Sequence, residues 1–110
     1  MAVHAQVRDW LKGVVGEDVW EASQPPDQRE GVTLRLLDQS SFHEHTFHVF
    51  VFKNSYADAR DEAQAIMDSI DDRVGFCNGW AILEAHMRYE GVDMIGRYVM
   101  GITMRVREEV

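Results

Sequence analysis

The residues best suited to do chemistry lie in a short histidine-rich run. It contains His43, Glu44, His45 and His48. Neutral imidazole and carboxylate are good ligands for zinc and other divalent cations. In a strand, however, neighbouring side chains point to opposite faces. His43 and His45 therefore share one face, and Glu44 and His48 share the other. A third ligand must come from elsewhere, and the candidate is His86 on a second predicted strand.

We expect a polar strand end with surface histidines, with no bound metal and no cofactor. The alternative is a small metal-dependent enzyme or metal-binding module that uses His43, His45 and His86. Other catalytic classes have no support in the sequence. It contains no glycine-flanked serine elbow, no phosphate-binding glycine loop and no dinucleotide fingerprint, and its single cysteine, Cys77, has no neighbouring histidine. We therefore predict a protein without catalytic residues.

Composition limits the class of protein further. The chain has 110 residues, of which 45% are hydrophobic and 27% charged, so it fits one domain (1–110) with its own core. Nineteen acidic residues against eleven basic ones give a net charge of -8. This charge disfavours nonspecific binding to nucleic acid or to an anionic membrane. No apolar run approaches the roughly 20 residues of a membrane span, so we expect a cytosolic protein or a component of a larger assembly.

The first half of the chain reads as a helix followed by a hairpin. Apolar residues at three- and four-residue steps predict an opening helix that ends near Gly13 or Gly16. Val19 and Trp20 fit a short strand or an anchored turn, and the polar, proline-containing segment 22–30 predicts a surface loop. Residues 32–37 alternate, with Val32, Leu34 and Leu36 expected inward and Thr33 and Arg35 outward. Residues 46–53 are rich in Phe and Val and predict an interior strand.

The second half repeats that order. Ser55 and Asp58 resemble a capping box at the start of a helix over 56–71. Two alternating runs follow, 81–89 and 98–106, joined by a short turn around residues 90–93. In the first run Leu83 is expected on one face and Ile82 on the other. The chain is thus predicted to be α+β, in the order helix, hairpin, helix, hairpin. The expected sheet has four or five mostly antiparallel strands, with both helices on one face.

Charge is distributed unevenly over these elements. The outward positions of the sheet collect basic residues, relieved by Glu84: Arg35, Arg88, Arg97, Arg105 and Arg107. The outer side of the second helix collects acids, among them Asp58, Asp61, Glu62 and Asp68. The second hairpin also has an apolar tip, which contains Val92, Met94 and Ile95 and is a modest signal for a protein contact. Simple solvated charge is one explanation of this pattern. The sharper hypothesis is a head-to-tail contact between identical subunits, with the acidic helix against the basic sheet.

Several segments together resemble the tail terminator (tail-completion, or minor capsid) proteins of long-tailed bacteriophages. They are the opening helix His4–Val15, the strand Thr46–Lys53 running into the helix Tyr56–Asp71, and the closing strand Gly96–Arg107. The resemblance covers nearly the whole chain in size and element order, without an invariant motif. The histidine-rich run is not part of it.

The resemblance implies a non-enzymatic virion protein, assembled in the host cytoplasm into a hexameric ring at the head-proximal end of the tail. Such a ring stops polymerisation of the tail tube protein and docks the head–tail connector protein. The genome crosses its lumen without specific binding, and no catalytic residues carry over. Another neck or head–tail adaptor protein of the same size is the nearest alternative.

Overall fold

The computed structural model describes residues 3–21, 29–38, 43–71 and 80–108. Within these ranges the chain forms two helices and one five-stranded sheet. Their bounds are α1 Val3–Val15, β1 Val19–Glu21, β2 Gly31–Asp38, β3 Glu44–Lys53, α2 Tyr56–Asp71, β4 Trp80–Val92 and β5 Tyr98–Glu108. The α+β class and the predicted order of elements are confirmed. Most of the predicted proline-containing loop (22–28), the turn after β2 and Cys77 lie outside the described residues.

The strands are ordered β1-β2-β3-β5-β4 across the sheet. β1 runs parallel to β2, whereas β2–β3, β3–β5 and β5–β4 are antiparallel pairs. The segment at Val19 and Trp20 is thus a strand rather than a turn. β3 lies in the middle of the sheet, as its dense Phe and Val content predicts.

Both helices pack on one face of the sheet and share its core. On β3, Phe47, Val49 and Val51 point toward the helices and are fully buried, along with α1 residues such as Leu11 and α2 residues such as Ile66. Burial of apolar surface contributes about 25 cal/mol per Å². Each element turns one apolar face into this single core. This is why apolar residues recur every three or four positions in the helices and every second position in β3.

The helix ends follow the sequence signals. The backbone N–H of Gly16 donates to the carbonyl of Lys12 (2.9 Å), and Gly16 has a φ of 73°, a left-handed conformation that glycine adopts without steric cost. At the start of α2, the Asp58 N–H donates to the Ser55 hydroxyl at 3.2 Å. Ser55 is therefore the N-cap, as predicted.

The side-chain directions in β4 differ from the prediction. Ile82 pairs with Val106 and Glu84 with Arg105, so Leu83 is an extra residue that forms a β-bulge. Ile82 consequently lies buried on the helix side at 1% exposure, on the opposite face from the one expected. After the bulge the alternation resumes in the predicted phase.

Two expectations for β2 also need correction. Leu36, expected inward, is 41% exposed at the end of the strand, next to an irregularity in the register between Leu36 and Asp38. Thr33, expected to face solvent, is buried at 2% exposure. Thr33 lies directly across from Phe50 of β3, so an aromatic side chain stands beside it on that face.

Candidate interaction surface

An aromatic row runs along β3 on the sheet face that points away from the helices. It consists of His48, Phe50 and Phe52, with ring centroids 4.2 Å apart for the first pair and 6.2 Å for the second. Across the β3–β5 register, Phe50 stands opposite Gly101 and Phe52 opposite Val99. All three rings are half-buried. This outer face is therefore apolar at its centre.

A hollow of about 270 Å³ opens at one end of the aromatic row. Its walls are Phe50, Phe52, Glu90, Gly91, Val92, Asp93 and Val99. A second β-bulge shapes it, because Tyr89 pairs with Met100 and Gly91 with Val99, which leaves Glu90 as the extra residue. The Glu90 carboxylate lies across Gly101. A Cβ added at residue 101 would stand 2.9 Å from the Oε1 atom of Glu90. Glycine at 101 thus leaves the room that the Glu90 side chain occupies.

The turn beside the hollow is organised by Asp93. Its Oδ1 atom accepts hydrogen bonds from the backbone N–H groups of Ile95 (3.2 Å) and Arg97 (2.9 Å), and its Oδ2 atom accepts one from Arg97 Nε at 2.7 Å. Burial raises the pKa of Asp93, but the hydrogen bonds and the charge of Arg97 outweigh it, so the pKa lies below its ordinary value. The turn is therefore held by an ionised carboxylate.

Arg97 braces the turn rather than reaching into solvent. Its guanidinium carbon lies 4.2 Å from the centroid of the Phe52 ring, and its side chain is only 16% exposed. Arg29 donates from Nη2 to the carbonyl of Ile95 at 3.1 Å and from Nε to Asn54 at 2.6 Å. The sequence analysis placed Arg97 among outward-facing contact residues, whereas in the structure it ties the hairpin turn to the sheet face.

The tip of this hairpin is apolar and exposed. Val92 is 54% exposed, Met94 102% and Ile95 57%. We call these three residues the hairpin tip. Their exposure matches the sequence analysis. Exposed apolar groups grouped on a rigid turn are typical of protein contact sites.

Two other arginines of the outer face, Arg105 and Arg88, have carboxylate neighbours. Arg105 donates from Nη1 to Glu44 at 3.1 Å, and its Nη2 atom lies 3.6 Å from Glu84. Arg88, with 80% of its side chain exposed, reaches Glu90 at 3.3 Å. Arg35 and Arg107 are exposed as well. The outer face therefore carries both signs of charge, where the sequence analysis expected arginines relieved by Glu84 alone.

The acidic surface of α2 lies where it was predicted. Asp58, Asp61 and Asp68 are exposed, and Glu62 is partly buried. A polar hollow of about 290 Å³ is lined by Asp58, Asp61 and Glu62 together with Glu30 and Lys53. Burial raises the pKa of Glu62, and the lowering effect of the nearby Lys53 charge is smaller. Asp58 also lies in the first turn of α2, where a negative charge stabilises the helix dipole.

The structure separates the histidines that the metal hypothesis requires. His45 is buried on the helix side of the sheet, where its Nε2 atom lies 3.0 Å from Glu108 Oε2. His86 is exposed on the outer face, and His43 is exposed before β3. Among the described residues, no group of three or more His, Cys, Asp or Glu side chains is placed to hold a metal ion. The structure therefore does not bring His43, His45 and His86 together as one set of ligands.

His48 takes a different position, on the outer face next to Phe50. Burial lowers the pKa of His48 below its ordinary value, with Arg88 and Arg35 acting in the same direction and Glu90 opposing them. This imidazole is thus biased toward the neutral form that packs against an aromatic ring.

The sequence analysis missed Asp93 and Glu90. The only local signal for Asp93 is an aspartate before Gly96 between two alternating runs, which is ordinary turn chemistry. Nothing in the sequence marks Glu90 as a bulge residue. Among the described residues, no helix combines the length and apolar character needed to cross a membrane.

Comparison with solved structures gives an informative likeness, whereas the other two comparisons find nothing. No protein-family model matches the chain, and no curated protein matches it. A chain of the solved structure described as the virion of a native gene transfer agent (GTA) particle is 26% identical, with a TM-score of 0.56. The match covers 99% of this chain and 92% of that chain. It supports a virion structural role.

Proposed function

We propose that this chain is the subunit of a ring, hexameric in its complete form, that terminates a phage tail tube and docks the head connector. The observation that carries the virion role is the likeness to the gene transfer agent virion over 99% of the chain. The finer assignment rests on the resemblance of the helix, hairpin, helix, hairpin pattern to tail terminators. The function needs no catalytic residue.

The surfaces of the subunit suit such a role. A closed ring of identical chains in head-to-tail contact needs two different patches on each chain. The outer sheet face with its exposed arginines is one, and the acidic side of α2 is the other. The exposed Arg35 and Arg88 give the first patch cations that complement Asp61 and Asp68 on the second.

The charge of the chain also suits a lumen through which DNA passes. The net charge of -8 disfavours retention of a polyanion. Arg97 and Arg105 have carboxylate partners within the subunit, which reduces their availability to phosphates. The tail tube protein and the head connector are the axial partners that this function requires.

The decisive test is the morphology of particles made without this chain. We expect tails of uncontrolled length that are not joined to heads, seen by negative-stain electron microscopy, with normal particles restored by the wild-type chain. Tails of normal length beside unjoined heads would instead identify a neck or head–tail adaptor. Particles of normal length and joining would overturn both assignments.

Native mass spectrometry of the purified chain reads oligomer and bound metal together. A metal-free hexamer is the expected species at high concentration. A monomer that carries one metal ion would contradict the ring and reopen the metal-binding class with a different ligand set.

A further inference from the structure

We propose that the hairpin tip of one subunit docks in the outer-face hollow of the next identical subunit. The hairpin tip is Val92, Met94 and Ile95, and the hollow is the one floored by Phe50, Phe52 and Val99. This inference rests on the proposed ring and names the contact that builds it. The contact is heterologous, since each chain offers its tip to one neighbour and its hollow to the other.

The hairpin tip is preorganised for docking. Asp93 accepts two backbone hydrogen bonds and one from the Arg97 side chain, and a backbone bond from the Asp93 N–H to the Arg97 carbonyl closes the turn at 2.9 Å. Met94 stands at its apex, fully exposed. Holding apolar side chains in a fixed turn before contact lowers the entropy that binding must overcome.

The hollow can be covered without leaving a charge unpaired. Its floor is aromatic and aliphatic, and its volume of about 270 Å³ accommodates a methionine side chain with its neighbours. The two carboxylates on its rim already have cationic partners, Arg97 for Asp93 and Arg88 for Glu90. Burial of an unpaired carboxylate is strongly unfavourable, so this prior pairing makes the hollow suitable for an apolar occupant.

A second copy is the occupant that explains both features at once. Val92 and Asp93 line the hollow of their own chain, but Met94 is fully exposed and so lies outside it. Val92 borders both, but the projecting Met94 and Ile95 are separate from the lining of the hollow, and two complementary patches on identical chains generate rings or filaments. A different partner protein would require only one of the two features.

The contact area indicates how strong the association is. The hairpin tip exposes about 200 Å² of apolar surface, at about 100 Å² for each fully exposed side chain. A stable interface buries about 800 Å² on each partner. The tip alone therefore cannot hold a dimer. Flanking contacts between Arg35 and Arg88 and the acids of α2 extend it, and a closed ring holds each subunit on two sides.

Disulfide trapping tests the contact directly. All chains carry Cys77→Ser, and two further versions carry Met94→Cys or Glu90→Cys. Under mild oxidation we expect the mixed Met94→Cys and Glu90→Cys chains to form covalent dimers, whereas each version alone does not. Met94→Cys mixed with Asp68→Cys is the matched control and should stay uncross-linked. The reaction is run on the purified chains and on assembled particles.

Two results would overturn the docking and leave the ring proposal standing. One is a hexamer by native mass spectrometry that gives no cross-link in either setting. The other is efficient cross-linking of Met94→Cys with itself, which indicates a symmetric tip-to-tip contact. Tails of normal length in particles that lack the chain would instead reject the proposed function, whatever the cross-linking shows.

A second variant gives a quantitative measure. Met94→Asp puts a charge on the exposed apex, where it leaves the subunit fold intact, and should raise the concentration needed for half-assembly at least about tenfold. Met94→Leu is the matched control and should assemble like the wild type. Unchanged assembly of Met94→Asp would contradict the docking.

Discussion

At the scale of single residues, the hairpin turn depends on one carboxylate. Asp93 receives three hydrogen bonds and faces Arg97, which in turn lies on Phe52. A hydrogen bond to a charged group contributes more to stability than one between neutral groups. The shape of the hairpin tip therefore follows from the ionisation of Asp93.

Replacement of this carboxylate should make the hairpin less stable in a pH-dependent way. Asp93→Asn should lower the free energy of unfolding by about 1 kcal/mol at neutral pH. Because the folded-state pKa of Asp93 lies below its ordinary value of 3.8, its stabilising effect is complete above that value and is lost as pH falls through the folded pKa. Urea unfolding between pH 7 and pH 3 should show the two proteins converging at low pH.

Asp61→Asn provides the matched control for that experiment. Asp61 is exposed on α2, where it pairs with its sequence neighbour Arg60 at 3.4 Å. We expect a change in unfolding free energy close to zero. A difference between Asp93→Asn and wild type that stays constant down to pH 3 would contradict the role of the ionised carboxylate.

Residue types predicted less about sites than about packing. The histidine-rich run has the composition of a metal site, yet strand alternation places His45 on the helix side and His48 on the outer face, and the sheet order places His86 away from His45. Composition cannot report this, because ligand geometry depends on which strands become neighbours. The Asp93 turn was missed for the same reason, since its bonds are defined only once β4 and β5 pair.

At the scale of elements, α1 offers a test in which glycine is replaced by alanine at two positions, with opposite expected effects on stability. Gly16 terminates the helix with φ at 73°, a region in which a Cβ is strained, so Gly16→Ala should destabilise the protein by about 1 kcal/mol. Gly13 lies inside α1 with nothing within 4 Å of an added Cβ. Gly13→Ala should therefore stabilise it by about 0.5–1 kcal/mol. Thermal unfolding distinguishes the two, and equal effects would disprove this account of where α1 ends.

The helices and strands were more predictable than the faces of the strands. α2 was predicted with its observed bounds, because a serine N-cap and a complete apolar stripe are both local signals. The bulges at Leu83 and Glu90 were not, because they arise from the pairing of β4 with β5. Each bulge reverses the side-chain phase, so Ile82 was assigned to the wrong face although its strand was predicted correctly.

At the scale of the whole molecule, the proposed ring gives different roles to different surfaces. The described chain is elongated, with principal extents of 42, 25 and 23 Å. In the proposed ring, apolar exposure at the hairpin tip supplies contact area, and the charged surfaces supply orientation. Arg97 and Arg105 are partly buried and paired within the subunit, whereas Arg35 and Arg88 are exposed. Arg88 also reaches Glu90 at 3.3 Å, but 80% of its side chain is exposed, so it can meet an acid of a neighbouring subunit as well. Reversal of Arg97 should instead disturb the turn that holds the tip.

A charge-swap series tests that division. Asp61→Lys with Asp68→Lys should weaken assembly several-fold without unfolding the subunit, because both side chains are exposed. Arg35→Glu with Arg88→Glu should weaken it similarly, in a Glu90→Gln background because Arg88 also pairs with Glu90. The Glu90→Gln chain that carries all four reversals should assemble again, since opposite charges then face each other with reversed sign. Analytical ultracentrifugation at low salt measures this, and the differences should shrink at high salt.

Net charge needs a control in the same series, because reversal of two acids alone changes the total charge. Asp9→Lys with Asp18→Lys makes the identical change on and just after α1, where both residues are exposed, and should leave assembly intact. If the four-residue swap fails to recover while each subunit stays folded, Arg35 and Arg88 do not face the acids of α2. Cross-linking between the hairpin tip and the hollow would then still locate the ring contact, and the contact area that the tip lacks would have to come from other surfaces of the subunit.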